Sequence, residues 1–239
     1  MSSPPRAAAV LFMPGISMTP GMPTLICGAL VVSGVSLADD RWRLPILVRF
    51  GAHGAGALII LAGGGYLHEV GLPGGALLSL ESWGLMMMFI WSVGLTNAYN
   101  FMDGIDGLAA GQAVIAAMTM AWLALLRGAD VVVWAGVVLA PFLFDTSATL
   151  SRRIVRGQRW YEARREHFYQ RLIRRGWSHL AVTSLYLGIT AFLGIATIAY
   201  YGYHKIASLA YVGLVILPLF GIVLLVRIVE ARHALIAPS

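Results

Sequence analysis

Long apolar runs constrain this chain more than any other feature. A hydrocarbon core about 30 Å thick takes roughly 20 mostly apolar residues to cross as a helix. Runs of that order recur at 24–38, 50–67, 83–99, 107–127, 131–150, 179–202 and 207–226. Within a bilayer every backbone N–H and C=O must find a partner inside the protein, so only helices and closed barrels can span it. Barrel strands would read as alternating segments of about 10 residues, and these runs are longer and continuous. The predicted fold class is therefore all-α: a polytopic transmembrane helical bundle of about seven spans. Composition agrees, since charged residues make up 12% of the chain against about 25% in soluble domains. The first run is short enough to be re-entrant. Residues 1–23 read as an N-terminal arm or partial span, 24–230 as one transmembrane domain and 231–239 as a tail. Pro14, Gly15, Pro20 and Gly21 interrupt the apolar stretch near the start and argue against a cleavable signal peptide.

The distribution of Arg orients the spans. The segment 152–176, "RRIVRGQRWYEARREHFYQRLIRRG", carries nine Arg, and 39–49 carries Arg41, Arg43 and Arg49. The segment 68–82, "HEVGLPGGALLSLES", carries none. With the basic loops in the cytoplasm, 39–49, 97–106, 152–176 and the C-terminus all fall on that face. The net charge of +6 is thus explained by topology, and nucleic acid is not an expected partner. Cys27 is the single cysteine, which excludes an internal disulfide and a cysteine zinc site; it is expected to pack in its apolar run.

Polar residues gather where those loops meet the spans. Four of the six Asp form two pairs, Asp39–Asp40 and Asp103–Asp106, and the second lies in "NAYNFMDGIDGLAAG" at 97–111 with Asn97 and Asn100. Carboxylates beside hydrocarbon are costly and point to function, although a solvated helix end explains either pair alone. Clustered carboxylate and amide oxygens suit a hard cation such as Mg²⁺, which shares its ligands with substrate phosphates. Gly104 and Gly107 allow close backbone approach or a broken helix start, and Gly107 to Gly111 has a spacing suited to tight helix packing. Asp145, in "FLFDTS", reads first as a buried packing group. His167 sits among Arg164, Arg165, Arg171, Arg174 and Arg175, a setting that attracts phosphate, from a substrate or from lipid head groups. Trp160, Tyr161, Phe168 and Tyr169 read as interfacial anchors.

"NAYNFMDGIDGLAAG" closely resembles the signature of glycosyltransferase family 4, the polyprenyl-phosphate N-acetylhexosamine-1-phosphate transferases, whose superfamily includes the phospho-N-acetylmuramoyl-pentapeptide transferases. "SLADDRWRLPILVRFGAH" resembles the Asp-Asp loop of that family, and "FLFDTSATLSRRIVRGQRWYEARREHFYQRLIRRGWSH" its late cytoplasmic loop. The resemblance covers roughly residues 24 to 230. It implies transfer of a sugar-1-phosphate from a UDP-sugar to polyprenyl phosphate, with Mg²⁺ as cofactor and UMP as by-product. It further implies a multi-pass protein of a bacterial inner membrane serving cell-envelope polysaccharide synthesis. Carried over by motif, Asp39, Asp40 and His167 are catalytic, with Asp39 and Asp40 handling the lipid phosphate and one of them acting as base. Asn97, Asn100 and Asp103 line the nucleotide, Asp103 and Asp106 hold the metal, and Arg164, Arg165 and Arg171 join His167 at the diphosphate. A homodimer stays open.

The chain departs from the pattern. The early Pro/Arg/Gly-rich motif is not found, and no Gly-Asp-x-Gly-Ser motif, which supplies a further metal-site Asp in the family, occurs between 111 and 150. Arg164 and Tyr169-Gln170 stand where acidic or His residues are common. Asp145 is the one Asp after Asp130 that could substitute for the lost ligand. Two readings follow, an active phosphosugar transferase or an inactive homologue that binds lipid or a partner span. An ion-coupled transporter is disfavoured because it would place acids near the midplane.

Overall fold

The computed structural model describes residues 22–42, 44–63, 69–71, 77–127, 132–158, 166–203 and 206–236. The expected N-terminal arm lies outside the described residues except for its last two positions, and so do Arg164, Arg165 and the side chain of Asp40. Nine α-helices are described: α1 (Met22–Trp42), α2 (Ile46–Ala62), α3 (Glu81–Met102), α4 (Leu108–Arg127), α5 (Val132–Val138), α6 (Ala140–Val155), α7 (Phe168–Arg174), α8 (His179–Thr197) and α9 (Ser208–Ile236). One π-helical turn, Ile198–Gly202, extends α8. Two short strands, β1 (Glu69–Gly71) and β2 (Leu77–Ser79), pair antiparallel with Val70 opposite Leu78.

Among the described residues each expected span overlaps a helix, with residues 64–67 and 131 outside the description, and three differences stand out. The span expected at 131–150 is broken at Leu139 and resumes with Pro141 in the first turn of α6, where a residue without N–H is tolerated. Within the segment 68–82 the strands β1 and β2 pair with each other. Helix α9 runs ten residues past its expected end at 226, because Arg227, Glu230 and Arg232 end the hydropathy but remain good helix formers. By length and composition, three helices can cross a membrane, Leu108–Leu126, His179–Tyr201 and Ser208–His233, and Pro23–Asp39 and Ile46–Ala62 are shorter apolar helices.

The chain divides into two compact units, residues 1–97 and 98–239, with the boundary inside α3. In the first, α1 and α2 cross at Gly28 and Gly56. A Cβ on Gly28 would stand 2.7 Å from the Gly56 carbonyl oxygen, so only hydrogen at this position permits the approach. Cys27, expected to pack, is exposed.

In the second unit, α4 packs on α8 through the same device. A Cβ on Gly111 would meet Leu187 at 2.8 Å, and one on Gly194 would meet Thr119 at 2.6 Å. Lipid tails are as apolar as Leu, so helix association here draws on close packing rather than on the hydrophobic effect. The core comprises Met102, Leu108, Phe142, Tyr169, Leu172, Val182, Tyr186 and Ile222. At one end of this unit Trp134 meets Tyr200, Tyr201 and Tyr211. The polar site forms at the other end, where α3 closes, α6 ends and α7 lies.

Candidate functional site

The centre of the polar end is Asp145, fully buried on α6. Its Oδ1 accepts from the Phe168 N–H at 2.8 Å and from Thr149 Oγ1 at 3.3 Å. Its Oδ2 accepts from the Tyr169 N–H at 3.2 Å and the Tyr186 hydroxyl at 2.6 Å. A helix start leaves its first N–H groups without intrahelical partners; for α7 a carboxylate more than twenty residues away in sequence supplies them. Four donors occupy the four lone-pair positions of the carboxylate. Asp145 is therefore a structural anion, and the role of substitute metal ligand is closed to it in this arrangement.

His167 precedes α7 and is 4% exposed. Its Nδ1 lies 3.3 Å from Asp145 Oδ1, outside good hydrogen-bond alignment. Its ring stacks between Phe101, at 6.0 Å, and Tyr169, at 5.9 Å. The His167 N–H donates to Gln170 Oε1 at 3.2 Å, closing the first turn. Arg152 reaches across from α6, donating to the Glu166 carbonyl at 3.2 Å and lying 5.4 Å over the Phe168 ring. Burial, followed by the like charges of Arg171 and Arg156, pulls the Arg152 guanidinium below its usual value; it stays charged at neutral pH.

Tyr169 joins this assembly to the acidic loop. Its ring is fully buried, and its hydroxyl donates to the Phe101 carbonyl at 3.2 Å and accepts from Gln170 Nε2 at 2.9 Å. The same oxygen would be 2.2 Å from a Cβ on Gly104, so a side chain there is excluded. The loop then turns through Gly107 at φ 76°, a conformation glycine adopts without strain, and α4 begins at Leu108. Ile105 and Leu108 point into the core while Asp103 and Asp106 are exposed. In the second unit, Tyr169 and the His167 ring both meet Phe101, at the end of the helix that leads into Asp103 and Asp106. Tyr169, read from sequence as an interfacial anchor, is instead a buried tie between α7 and the end of α3.

In the first unit, Asp39 holds the turn between α1 and α2. Its Oδ1 accepts from the Leu44 N–H at 2.7 Å and its Oδ2 pairs with Arg49 at 3.0 Å. Asn97 turns back on α3, donating from Nδ2 to the Val93 carbonyl at 2.8 Å. His53 is buried, with no partner for Nδ1 among the described residues. Sequence reading passed over it, although a His within "FGAHGAGA" is an intramembrane ionisable group of the kind that marks functional sites. Asn100 is exposed.

The donor chemistry of the acidic loop fits a hard cation. Among the described residues no three His, Cys, Asp or Glu side chains converge. Two exposed carboxylates with the remainder of the shell from water and phosphate is nonetheless the usual arrangement for Mg²⁺.

Comparison with known proteins agrees with the motifs. The model of the family described as glycosyl transferase family 4 matches residues 22–157, a range ending before His167. The decaprenyl-phosphate N-acetylglucosaminephosphotransferase of Mycobacterium leprae is 31% identical over 109 residues, 44% of this chain and 27% of the relative. A probable undecaprenyl-phosphate N-acetylglucosaminyl 1-phosphate transferase of Bacillus subtilis is 33% identical over 117 residues, 48% of this chain and 32% of the relative. The phospho-N-acetylmuramoyl-pentapeptide-transferase of Lactiplantibacillus plantarum is 46% identical over 56 residues, 21% of this chain and 17% of the relative. The matched stretch is less than two thirds of the length of each of these relatives. No solved structure matches.

Proposed function

The chain belongs to glycosyl transferase family 4, and we propose that it moves N-acetylhexosamine-1-phosphate from a UDP-sugar to polyprenyl phosphate. An oxygen of the lipid phosphate attacks the sugar-bound phosphorus of the UDP-sugar. The bond from that phosphorus to the bridging oxygen of UMP breaks, leaving UMP and a lipid diphosphate sugar. The observation that carries this reading is Tyr169 of the basic α7 segment, whose hydroxyl bonds the Phe101 carbonyl at the end of α3 and lies against Gly104 of the acidic 103–107 loop. Carboxylates for a cation and guanidiniums for phosphate thereby stand on one assembly. Such transfer depends mostly on positioning and charge neutralisation.

The chain's own residues divide the work. Asp103 and Asp106 would hold Mg²⁺, which when bound would neutralise the diphosphate, and Asn100 and Asp103 would meet the nucleotide. Asn97, whose amide donates to the Val93 carbonyl, would shape the wall of the nucleotide site. Arg164 and Arg165 would orient the diphosphate, Arg171 would add its positive field while it stays paired with Glu230, and His167 would set the start of α7. In the Asp-Asp pair, Asp39 is occupied by Leu44 N–H and Arg49, so it would position Arg49 for the lipid phosphate and the base role would fall to Asp40. The protein is an integral membrane protein. Family membership suggests a bacterial inner membrane and a role in envelope polysaccharide synthesis, and the Arg distribution suggests about seven spans with the polar loops in the cytoplasm.

One observation favours a second reading, a homologue that binds substrates without turnover: Asp145, the one Asp placed to replace the lost Gly-Asp motif ligand, is saturated by protein donors. The test is to incubate purified protein with Mg²⁺, polyprenyl phosphate and a panel of UDP-N-acetylhexosamines and to measure UMP and lipid diphosphate sugar. Matched release of both supports the transferase. UDP-sugar binding without UMP supports the second reading. Neither binding nor release would sink both.

A further inference from the structure

A second cationic feature lies between α7 and α9, apart from the acidic loop. Arg171, Arg174, Arg175 and Glu230 line a cleft of about 190 Å³. Two contacts set its shape. Arg171 grips Glu230 bidentately, Nε to Oε1 at 2.8 Å and Nη2 to Oε2 at 2.5 Å. His233 Nε2 bonds the Arg175 carbonyl at 2.8 Å. Glu230 is therefore satisfied by Arg171, and no acid partner is described for Arg174 or Arg175, both exposed. With three guanidiniums against one carboxylate the cleft carries an excess of two positive charges, and Arg227 adds to the field around Glu230.

Its position in the fold matters as much as its charge. Helix α9 has 29 residues, roughly 44 Å at 1.5 Å per residue, against a hydrocarbon core of about 30 Å. The excess length, with Arg227, Glu230, Arg232 and His233 gathered in the last turns, would carry that end to the level of lipid head groups. Guanidinium pairs recognise phosphate bidentately and better than ammonium does, and basic clusters at this depth attract anionic lipid.

We propose that the α7–α9 cleft is a phosphate-binding site, in which Arg174 and Arg175 take a phosphate group while the Arg171–Glu230 pair fixes the rim. The chemistry is shared by a phospholipid head group and by free phosphate, and the experiment separates the two. The full chain is reconstituted in nanodiscs of phosphatidylcholine with or without phosphatidylglycerol. Lipid retained on the protein is counted by native mass spectrometry for the parent, Arg174→Gln, and Arg174→Gln with Arg175→Gln. In parallel, the melting temperature in neutral discs is followed on titration with inorganic phosphate. Preferential retention of phosphatidylglycerol by the parent, weakened roughly 10- to 100-fold in the double variant, supports the site with a lipid occupant. Stabilisation by inorganic phosphate that the double variant loses supports it with a soluble occupant. Arg41→Gln removes one positive charge from α1 and serves as the control; an equal loss in that variant, or no difference between parent and double variant in either arm, overturns the proposal.

Discussion

Replacing Asp145 by Asn keeps the size of the side chain and removes its charge and one acceptor oxygen. The structure gives the magnitude. One face of the new amide can still accept from Tyr169 N–H and Tyr186 hydroxyl. The other then points an NH₂ at the Phe168 N–H, which cannot turn away, and at Thr149, whose hydroxyl can rotate to accept. The two retained bonds also fall from charge-assisted to neutral strength. Hydrogen bonds to charged groups contribute about 1.5–3 kcal/mol each, and a buried donor left unpaired costs about 1–3 kcal/mol. A total of about 3–5 kcal/mol follows, in the range for removing one partner of a buried ionic group. The loss falls on the start of α7, so the segment 166–174 should open before the rest of the protein. At about 1.4 kcal/mol per factor of ten, amide protection at Phe168 and Tyr169 should drop roughly 10²- to 10⁴-fold. Hydrogen exchange with mass spectrometry on purified parent and variant reads this directly, with α4 peptides as the internal reference. Unchanged protection in 166–174 would refute the account of Asp145 as the anchor of α7. Uniform loss across α4 as well would refute the local character of the effect.

Gly104→Ala should cost about 1–3 kcal/mol, the usual range for overpacking, because the Cβ meets the buried Tyr169 hydroxyl; Gly94→Ala, open on α3, should be neutral or stabilising by up to about 1 kcal/mol, and equal melting temperatures for the two variants would contradict this. Asp103→Asn and Asp106→Asn should each weaken Mg²⁺ or UDP-sugar binding by about tenfold or more with folding intact, as isothermal calorimetry can check; parent-like binding in both would remove the metal assignment. Arg49→Gln breaks a half-exposed pair with Asp39, so stability should change by less than about 1 kcal/mol while UMP release falls at least about tenfold. Full activity in that variant would make the pair purely structural.

The helices were legible because lipid-facing and core-facing surfaces are both apolar, so a hydropathy run marks a span whichever way it faces. Their ends were less so. Arg227 to Arg232 stop a hydropathy window but not a helix, and Pro141 breaks a run that composition reads as continuous. The strand pair 69–71 and 77–79 flanks "LPGG", and Pro-Gly punctuation of that kind does not by itself show that the residues on either side pair. The acidic loop was legible as a site because Asn, Asp and Gly together are rare beside hydrocarbon. The part Tyr169 plays was not legible. An aromatic residue in a basic loop looks the same whether it anchors at an interface or is drawn inward, and what draws it in is a carboxylate 24 residues away. His53 was missed for the opposite reason, being a single polar residue in a span with no motif around it.

The tie at Tyr169 has a thermodynamic consequence. Its hydroxyl bonds the Phe101 carbonyl, two residues before the acidic loop, while its amide is held by the carboxylate that starts α7. A ligand that draws Asp103 and Asp106 toward itself therefore works against or with whatever holds α7. Free energies of binding are reciprocal, so occupancy at the basic segment changes affinity at the acidic loop by the same factor as the reverse. Cation and phosphate would then not be bound as independent events: each reads the presence of the other through one phenol ring, and cutting that ring back in Tyr169→Ala would leave two sites that titrate separately.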